Sequence, residues 1–499
     1  MSKGNAMRYG LLGLVIAALV ATLALTLDQP GVETNTGAPS VTTAPGAPAP
    51  IASLAELGDQ APSRRDLDIQ TWRTAEGAEV LFVEARELPM FDLRLTFAAG
   101  SSQDSGVPGL AMLTNAMLNE GVPGKDVGAI AAGFEGLGAE FGNGAYRDMA
   151  VASLRSLSAK EQREPALALF KQVLGQPTFP EDSLARIKNQ LLAGFEYQKQ
   201  NPGKLASLEL FERLYGGHPY GHPSDGSAES IPGISREQLQ GFHAKAYTAG
   251  NAVIALVGDL DRAAAEALAA QVSAALPRGP ALPAIGEPQA PEAGLSHIEF
   301  PSNQTHLMIA QLGIQRSDPD YAALYLGNQI LGGGGFGTRL MTEVREKRGL
   351  TYGVYSGFSA MQARGPFMIN LQTRAELSAG TLQLIKDLLR DYLAKGPTPK
   401  ELEDAKRELA GSFPLSTASN ADIVGQLGSM GFYDLPLSYL EDFMLEVQAL
   451  NAEQVKAAMA KHLDVDQLVI VTAGPTVEQQ ELPPPSDKPI EQPSAVPEH

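Results

Sequence analysis

Two apolar segments close matching stretches of the chain, NAVIALVGDLD at 251–261 and LVIVTAGP at 468–475, and Gly474 of the second follows Gly258 of the first by 216 positions. Such an offset points to a duplicated α+β unit of a little over 200 residues. In the first copy, VLFVEARELPMFDLRLTFAAGS gives two apolar segments split by a turn-like ELP, and the alternation in DLRLTF fits a strand with one buried face. GLAMLTNAMLN has helical periodicity. AEFGNGAYRDMAVASLRSL then supplies two strands, with Gly142 and Gly144 marking a bend or bulge. ALALFKQVLGQPTF reads as a helix stopped near Gly175, and EDSLARIKNQLLAGFEYQKQNP as a long one ending before Pro202. The second copy repeats the plan: strand HLMIAQLGI, helices DYAALYLGNQILGG and TRLMTEVREKRG, strand LTYGVYSGFS, then a strand and long helices.

Around these units the composition changes. Lys3 and Arg8 precede an uncharged run from Leu11 to Leu27, so residues 1–29 read as a signal peptide or signal anchor. Residues 30–62, rich in Pro, Thr and Ala, form a spacer that cannot build a core. The units themselves span 63–277 and 296–475, joined by the linker PRGPALPAIGEPQAPEAG at 278–295 and followed by a flexible tail at 476–499. A net charge of −19 disfavours nucleic acid as the main partner. The absence of Cys excludes disulfides, thiolate metal sites and cysteine nucleophiles.

Three stretches, GGGGFGTRLMTEVREKRGLTYGVYSGF at 332–358, YGGHPYG at 215–221 and NAVIALVGDLD at 251–261, together resemble the pitrilysin-like zinc metallopeptidases. The likeness is greatest to their short bacterial and mitochondrial-processing branch and covers residues 65 to 475 or so. It implies an α+β fold of two homologous domains, each a mostly antiparallel sheet packed against helices. Active members carry an inverted zinc motif, His-x-x-Glu-His, on the helix that corresponds to GLAMLTNAMLNEG at 109–121. Histidines at i and i+4 share a helix face and grip one Zn²⁺, while the Glu serves as base to the bound water. Here the matching positions hold Met112, Asn115 and Ala116. A thioether is a poor zinc ligand, Asn takes no proton at neutral pH, and Ala offers no ligand. The third ligand, a Glu on the later long helix, falls at about Ala193 or Gly194 and is missing too. Glu196 lies a helical turn from that position and reads as a solvated charge, Glu120 as a helix-end or loop charge. His218 and His222 flank Pro219 and Gly221, which break any helix that would align them, so a turn against the core is their role. The remaining histidines, His462 included, stand singly. No metal or cofactor is expected in this chain.

The resemblance also implies that an Arg and a Tyr of the second half contact substrate near the scissile bond, and their matches are Arg345 and Tyr352. The local alternative pairs Arg345 with Glu343 or Glu346 and packs Tyr352. The glycines of GGGGFGT lack the Lys of a P-loop, which argues for close backbone approach or a substrate-facing loop. No GxSxG elbow supports a serine hydrolase. The expectation is a non-catalytic, substrate-handling subunit of a heteromeric zinc peptidase. Zn and base would come from a homologous partner chain, and the substrate would be a peptide or unfolded polypeptide. The bacterial periplasm is the expected location, with attachment to the inner membrane if the N-terminal segment is uncleaved. The alternative is a membrane-tethered structural or peptide-binding protein on a peptidase scaffold without hydrolysis.

Overall fold

The computed structural model describes residues 67–486. The apolar segment at 1–29 and the spacer at 30–62 lie outside the described residues, as does the tail after 486. Among the described residues no helix is long and apolar enough to cross a membrane.

The first half supplies β1 (Gln70–Arg73), β2 (Glu79–Glu84), β3 (Met90–Phe97), β6 (Glu140–Ala145), β7 (Ala150–Leu157) and β8 (Ala252–Gly258). They form one sheet in the order β1-β2-β8-β3-β7-β6, while β4 (Gly121–Val122) and β5 (Lys125–Asp126) make a separate ribbon. The second half supplies β9 (Gly294–Glu299), β10 (Gln304–Leu312), β11 (Val354–Phe358), β12 (Pro366–Arg374) and β13 (Val469–Gly474). Their order is β11-β12-β10-β13-β9. Apart from β1, the two sheets have the same topology. In each, the first and last strands of the unit run parallel (β2 with β8, β9 with β13) and the other pairs are antiparallel. A parallel first-to-last pair needs a long crossover, which the helices between them provide.

One face of each sheet is buried under its own half's helices. The other face is covered by a helix from the opposite half. The helix Pro202–Tyr215 turns Ala206, Leu210 and Leu214, four residues apart, onto Ala310, Val469, Val471 and Ala473 of the second sheet. The helix Asn420–Phe432 packs Ile423, Val424, Leu427 and Met430 onto Leu81, Val83, Ala255 and Val257 of the first. Two glycines bring the latter helix down to the strands. A Cβ at Gly431 would lie 2.5 Å from Val253 and 2.8 Å from Leu81, and one at Gly428 would lie 3.0 Å from Arg94. At roughly 1.5–3 kcal/mol per fully buried large apolar side chain, these exchanged helices outweigh any single polar contact between the halves.

The polar contact that accompanies them centres on Asp148, 3% exposed. Its carboxylate accepts from the Tyr220 hydroxyl, from the Gln362 amide at 2.8 Å and from the Tyr433 hydroxyl at 3.5 Å. Tyr220 belongs to the first half, Gln362 and Tyr433 to the second. Burial raises the Asp148 carboxyl, and these donors oppose that rise.

Several local expectations change in the structure. Pro202 does not only end a helix: Asn201 caps the next one by accepting from the Lys204 amide at 3.0 Å, and Pro202 occupies its first turn, where a missing N–H costs nothing. TRLMTEVREKRG is not a regular α-helix, since Met341–Glu346 is wound as a π-helix. Residues 476–486, expected to begin a flexible tail, are tied down. Thr476 bonds Glu299, Gln479 meets Ala375 and Ala379, Gln480 donates to Glu376, and Ser486 donates to the Lys347 carbonyl at 2.8 Å.

Gly431→Val tests the exchange of helices. It is expected to lower unfolding free energy by roughly 1–3 kcal/mol in urea titrations and to raise amide exchange in β2 and β8 as well as in the Asn420–Phe432 helix. Protection unchanged in the first sheet would show that the helix is not part of its packing.

Candidate functional site

The helix Leu110–Ala116, which carries the positions matched to the zinc motif by resemblance, starts at Gly109 with a φ of 93°. The buried Asp104 carboxylate receives the amides of Gly109 at 2.8 Å and Ala111 at 2.6 Å, so the helix entry is fixed from within the core. Met112 and Ala116 share the half-buried face, one turn apart. Asn115 points inward and is 2% exposed. Its Nδ2 donates to the Val151 carbonyl at 3.2 Å and the Tyr247 hydroxyl at 3.1 Å, and its own carbonyl accepts from Asn143 at 2.6 Å. Burial pushes the Tyr247 phenol well above its usual range, which leaves a neutral pair where a general base would be needed.

Among the described residues no other group restores the missing donors. Ala193 is exposed, and Glu196 is an exposed partner of Lys199 at 2.6 Å. Glu120, expected as a helix-end or loop charge, does follow the helix in a loop, where it is buried and paired with Arg186. His218 is held in a turn, Nε2 against the Gly286 carbonyl at 2.8 Å and Nδ1 accepting from the Tyr220 amide at 3.1 Å. His222 faces the Pro223 carbonyl at 3.2 Å, and burial lowers its pKa. His462 does not stand singly as expected. With Asp318 and Asp320 it forms the only grouping of three metal-type donors among the described residues. There Asp320 already accepts from Lys461 at 2.6 Å and His462 at 2.8 Å, and the hydrogen bond from Lys461 holds its carboxyl below the usual range. An ammonium on a shared oxygen satisfies this cluster without a metal.

Arg345 and Tyr352 do come together. Arg345 lies in the π-helical turn, and Gly349, at φ 60°, reverses the chain toward Tyr352. Among the described residues the alternative ion pair of Arg345 with Glu343 or Glu346 is not formed, and Glu343 is held instead by Lys347 at 2.6 Å and Arg348 at 2.8 Å. The Arg345 guanidinium instead sits 5.1 Å from the Tyr352 ring centre and 4.7 Å from that of Phe336. Tyr352 is 81% exposed and Phe336 72% exposed. A cation between two open aromatic rings keeps its N–H groups available while its position is restrained. Phe336 escaped the sequence reading, although its place between Gly335 (φ 76°) and Gly337 (φ 87°) in a loop that cannot bury it was a usable signal. Tyr352 also walls a cavity of about 340 Å³ against the Pro202–Tyr215 helix and the second sheet.

Residues 233–409 match the family described as peptidase M16 inactive domain. A crystal structure of a peptidase M16 inactive domain from Pseudomonas fluorescens is 76% identical, with a TM-score of 0.82, and the alignment covers 84% of this chain and 100% of that one. The chain belongs to the peptidase M16 family. Among M16 relatives, a Helicobacter pylori protein named a non-peptidase homolog, YmxG, is 28% identical over 78% of this chain and 90% of its own length. A Bacillus subtilis protein named an uncharacterized zinc protease is 23% identical over 74% of this chain and 89% of its own. A protease structure from Helicobacter pylori, at 17% identity and a TM-score of 0.75, shares the fold. The family likeness drawn from residues 332–358, 215–221 and 251–261 is therefore correct.

Asp104 makes the motif helix pH-sensitive. Burial lifts its carboxyl to about 7, against the opposing bonds from Ala111 and Gly109. The folded chain then retains a proton that the unfolded chain releases above roughly pH 4, so this group's contribution to stability falls as pH rises from about 4 to about 7. Unfolding titrations across that range are expected to show a downward slope that Asp104→Asn flattens, by at most about 1.4 kcal/mol per pH step of one, the limit for a single proton.

Proposed function

We propose that this chain is the non-catalytic, substrate-handling subunit of a heteromeric zinc peptidase. The observation that carries the reading is the contrast between two sites. Where the zinc and base belong, Asn115 and Tyr247 form a closed neutral pair; Arg345, Tyr352 and Phe336 stand assembled and open. The partner would be a homologous chain with intact His-x-x-Glu-His, whose zinc supplies the activated water. In that assembly Arg345 donates its guanidinium N–H groups to a carbonyl of the peptide backbone, and Tyr352 donates its hydroxyl to the oxygen that gains charge as water adds to the scissile carbonyl. The substrate class is peptide or unfolded polypeptide. The same reading places the chain in the bacterial periplasm, tethered to the inner membrane by residues 1–29 or released if they are cleaved, and it is supported by Lys3 and Arg8 ahead of the apolar run.

The test compares the chain alone, the zinc-bearing homologue alone, and their mixture on a peptide library. Activity is expected in the mixture only, and Arg345→Ala with Tyr352→Phe is expected to reduce kcat/KM by about 10²-fold while co-elution is unchanged. Full activity of the assembled double variant would move the reading to a structural or peptide-binding role.

A further inference from the structure

The cavity beside Tyr352 has no counterpart in the site as described so far, and its lining is unlike that of the equivalent position in the first half. Strand register makes the comparison direct. Val257, the partner of Asp92, corresponds across the 216-residue offset to Ala473, the partner of His306. The next row of the first sheet is then Arg94, Ser153 and Gly142, and that of the second is Met308, Asn370 and Tyr355. One row further, Thr96, Val151 and Gly144 correspond to Ala310, Met368 and Gly357.

In the first half this surface is charged: Arg155 pairs with Asp92 at 2.8 Å, and Arg94 stands two positions along the strand from Asp92, on the same face. In the second half the charges are gone. Met308 and Met368 form the floor, Tyr355 stands where the first half has glycine, and no Asp, Glu, Lys or Arg lines the cavity. The edge strand is built equally well with Gly142 as with Tyr355, so backbone pairing does not require this aromatic wall. Tyr355 is 48% exposed, and its ring lies over Gly353, where a Cβ would come within 2.9 Å of it. His306, Asn370 and Gln372 add neutral hydrogen-bonding groups, and burial keeps the imidazole uncharged by lowering its pKa.

We propose that this cavity is a specificity pocket that takes a large apolar side chain, aromatic or leucine-like, of the extended peptide engaged by Arg345 and Tyr352. The assignment rests on the reading of that pair as peptide contacts. Tyr352 belongs to both features, so a peptide lying against its hydroxyl has a neighbouring side chain at the cavity mouth. A volume of about 340 Å³ is at the small end of ligand pockets and suits one bulky side chain with part of its backbone. Methionines adapt to different apolar shapes, and the amides and the neutral imidazole can meet the peptide main chain. An acidic or basic side chain would lose hydration with no opposite charge in the wall, and is rejected.

The experiment uses the full chain without a partner and fluorescein-labelled unstructured peptides that share one polar sequence and differ at a single position, Phe, Leu, Ala or Asp. Anisotropy titrations are expected to give Phe and Leu about tenfold tighter binding than Ala, with Asp weakest. Asn370→Trp, which fills the cavity from an exposed position, and Tyr355→Gly, which restores the first half's residue, are each expected to cut that preference to about twofold with unchanged thermal melts. Arg345→Ala is expected to weaken all four peptides alike and leave the preference intact. Equal binding of Phe and Ala peptides, no binding of any, or a preference that survives Asn370→Trp would overturn the pocket. A retained preference together with full activity of the assembled Arg345→Ala, Tyr352→Phe double variant would reject the subunit reading and leave the pocket standing.

Discussion

The structure depends on an exchange of helices between two copies of one sheet. A five-stranded sheet with helices on one face leaves a second apolar face that water would otherwise cover. Here each copy solves the problem for the other, through Pro202–Tyr215 on the second sheet and Asn420–Phe432 on the first. Neither half has a complete core alone. Asp148, with donors from both halves, adds direction to a contact whose strength is apolar.

That division also leaves the fold independent of metal ligands on the helix Leu110–Ala116. The motif helix is held by Asp104 at its start and by Leu110, Ala111 and Leu113 in the core, none of which is a metal ligand. Met112 and Ala116 lie on its half-buried side, where Met112 packs against the edge of the core and takes no part in holding the helix entry. Asn115 is the buried member of the three, and it remains polar because Tyr247 and the Val151 carbonyl need a partner there. The second half differs: its sheet face carries Met308, Met368 and Tyr355 where the first half carries charge, and Phe336 in the loop before Arg345 is exposed.

Most strands and the duplication were legible because alternation and apolar runs report burial directly. The helix after Pro202 was not, since proline both stops one helix and starts the next, and only Asn201 distinguishes the two. The π-helical winding around Arg345 has no local signature in the sequence. Arg345 and Tyr352 could be named from their place in a motif, yet their contact through ring faces, and the diversion of Glu343 to Lys347 and Arg348, required the folded chain. Sequence distance hid His462 from Asp318 and Asp320 in the same way.

By itself, then, the sequence determined which groups exist: a duplicated α+β unit, no histidine or glutamate at 112, 115 or 116, and an Arg and a Tyr seven positions apart. These are matters of composition and period, and no packing could supply a ligand that the chain lacks. Tertiary structure alone decided which half covers which sheet, that Arg345 lies against the rings of Phe336 and Tyr352, and that Tyr352 borders an uncharged cavity. Those features arise between residues far apart in the chain, such as Leu210 and Met308 with Tyr352, where only burial of a shared apolar surface sets who meets whom.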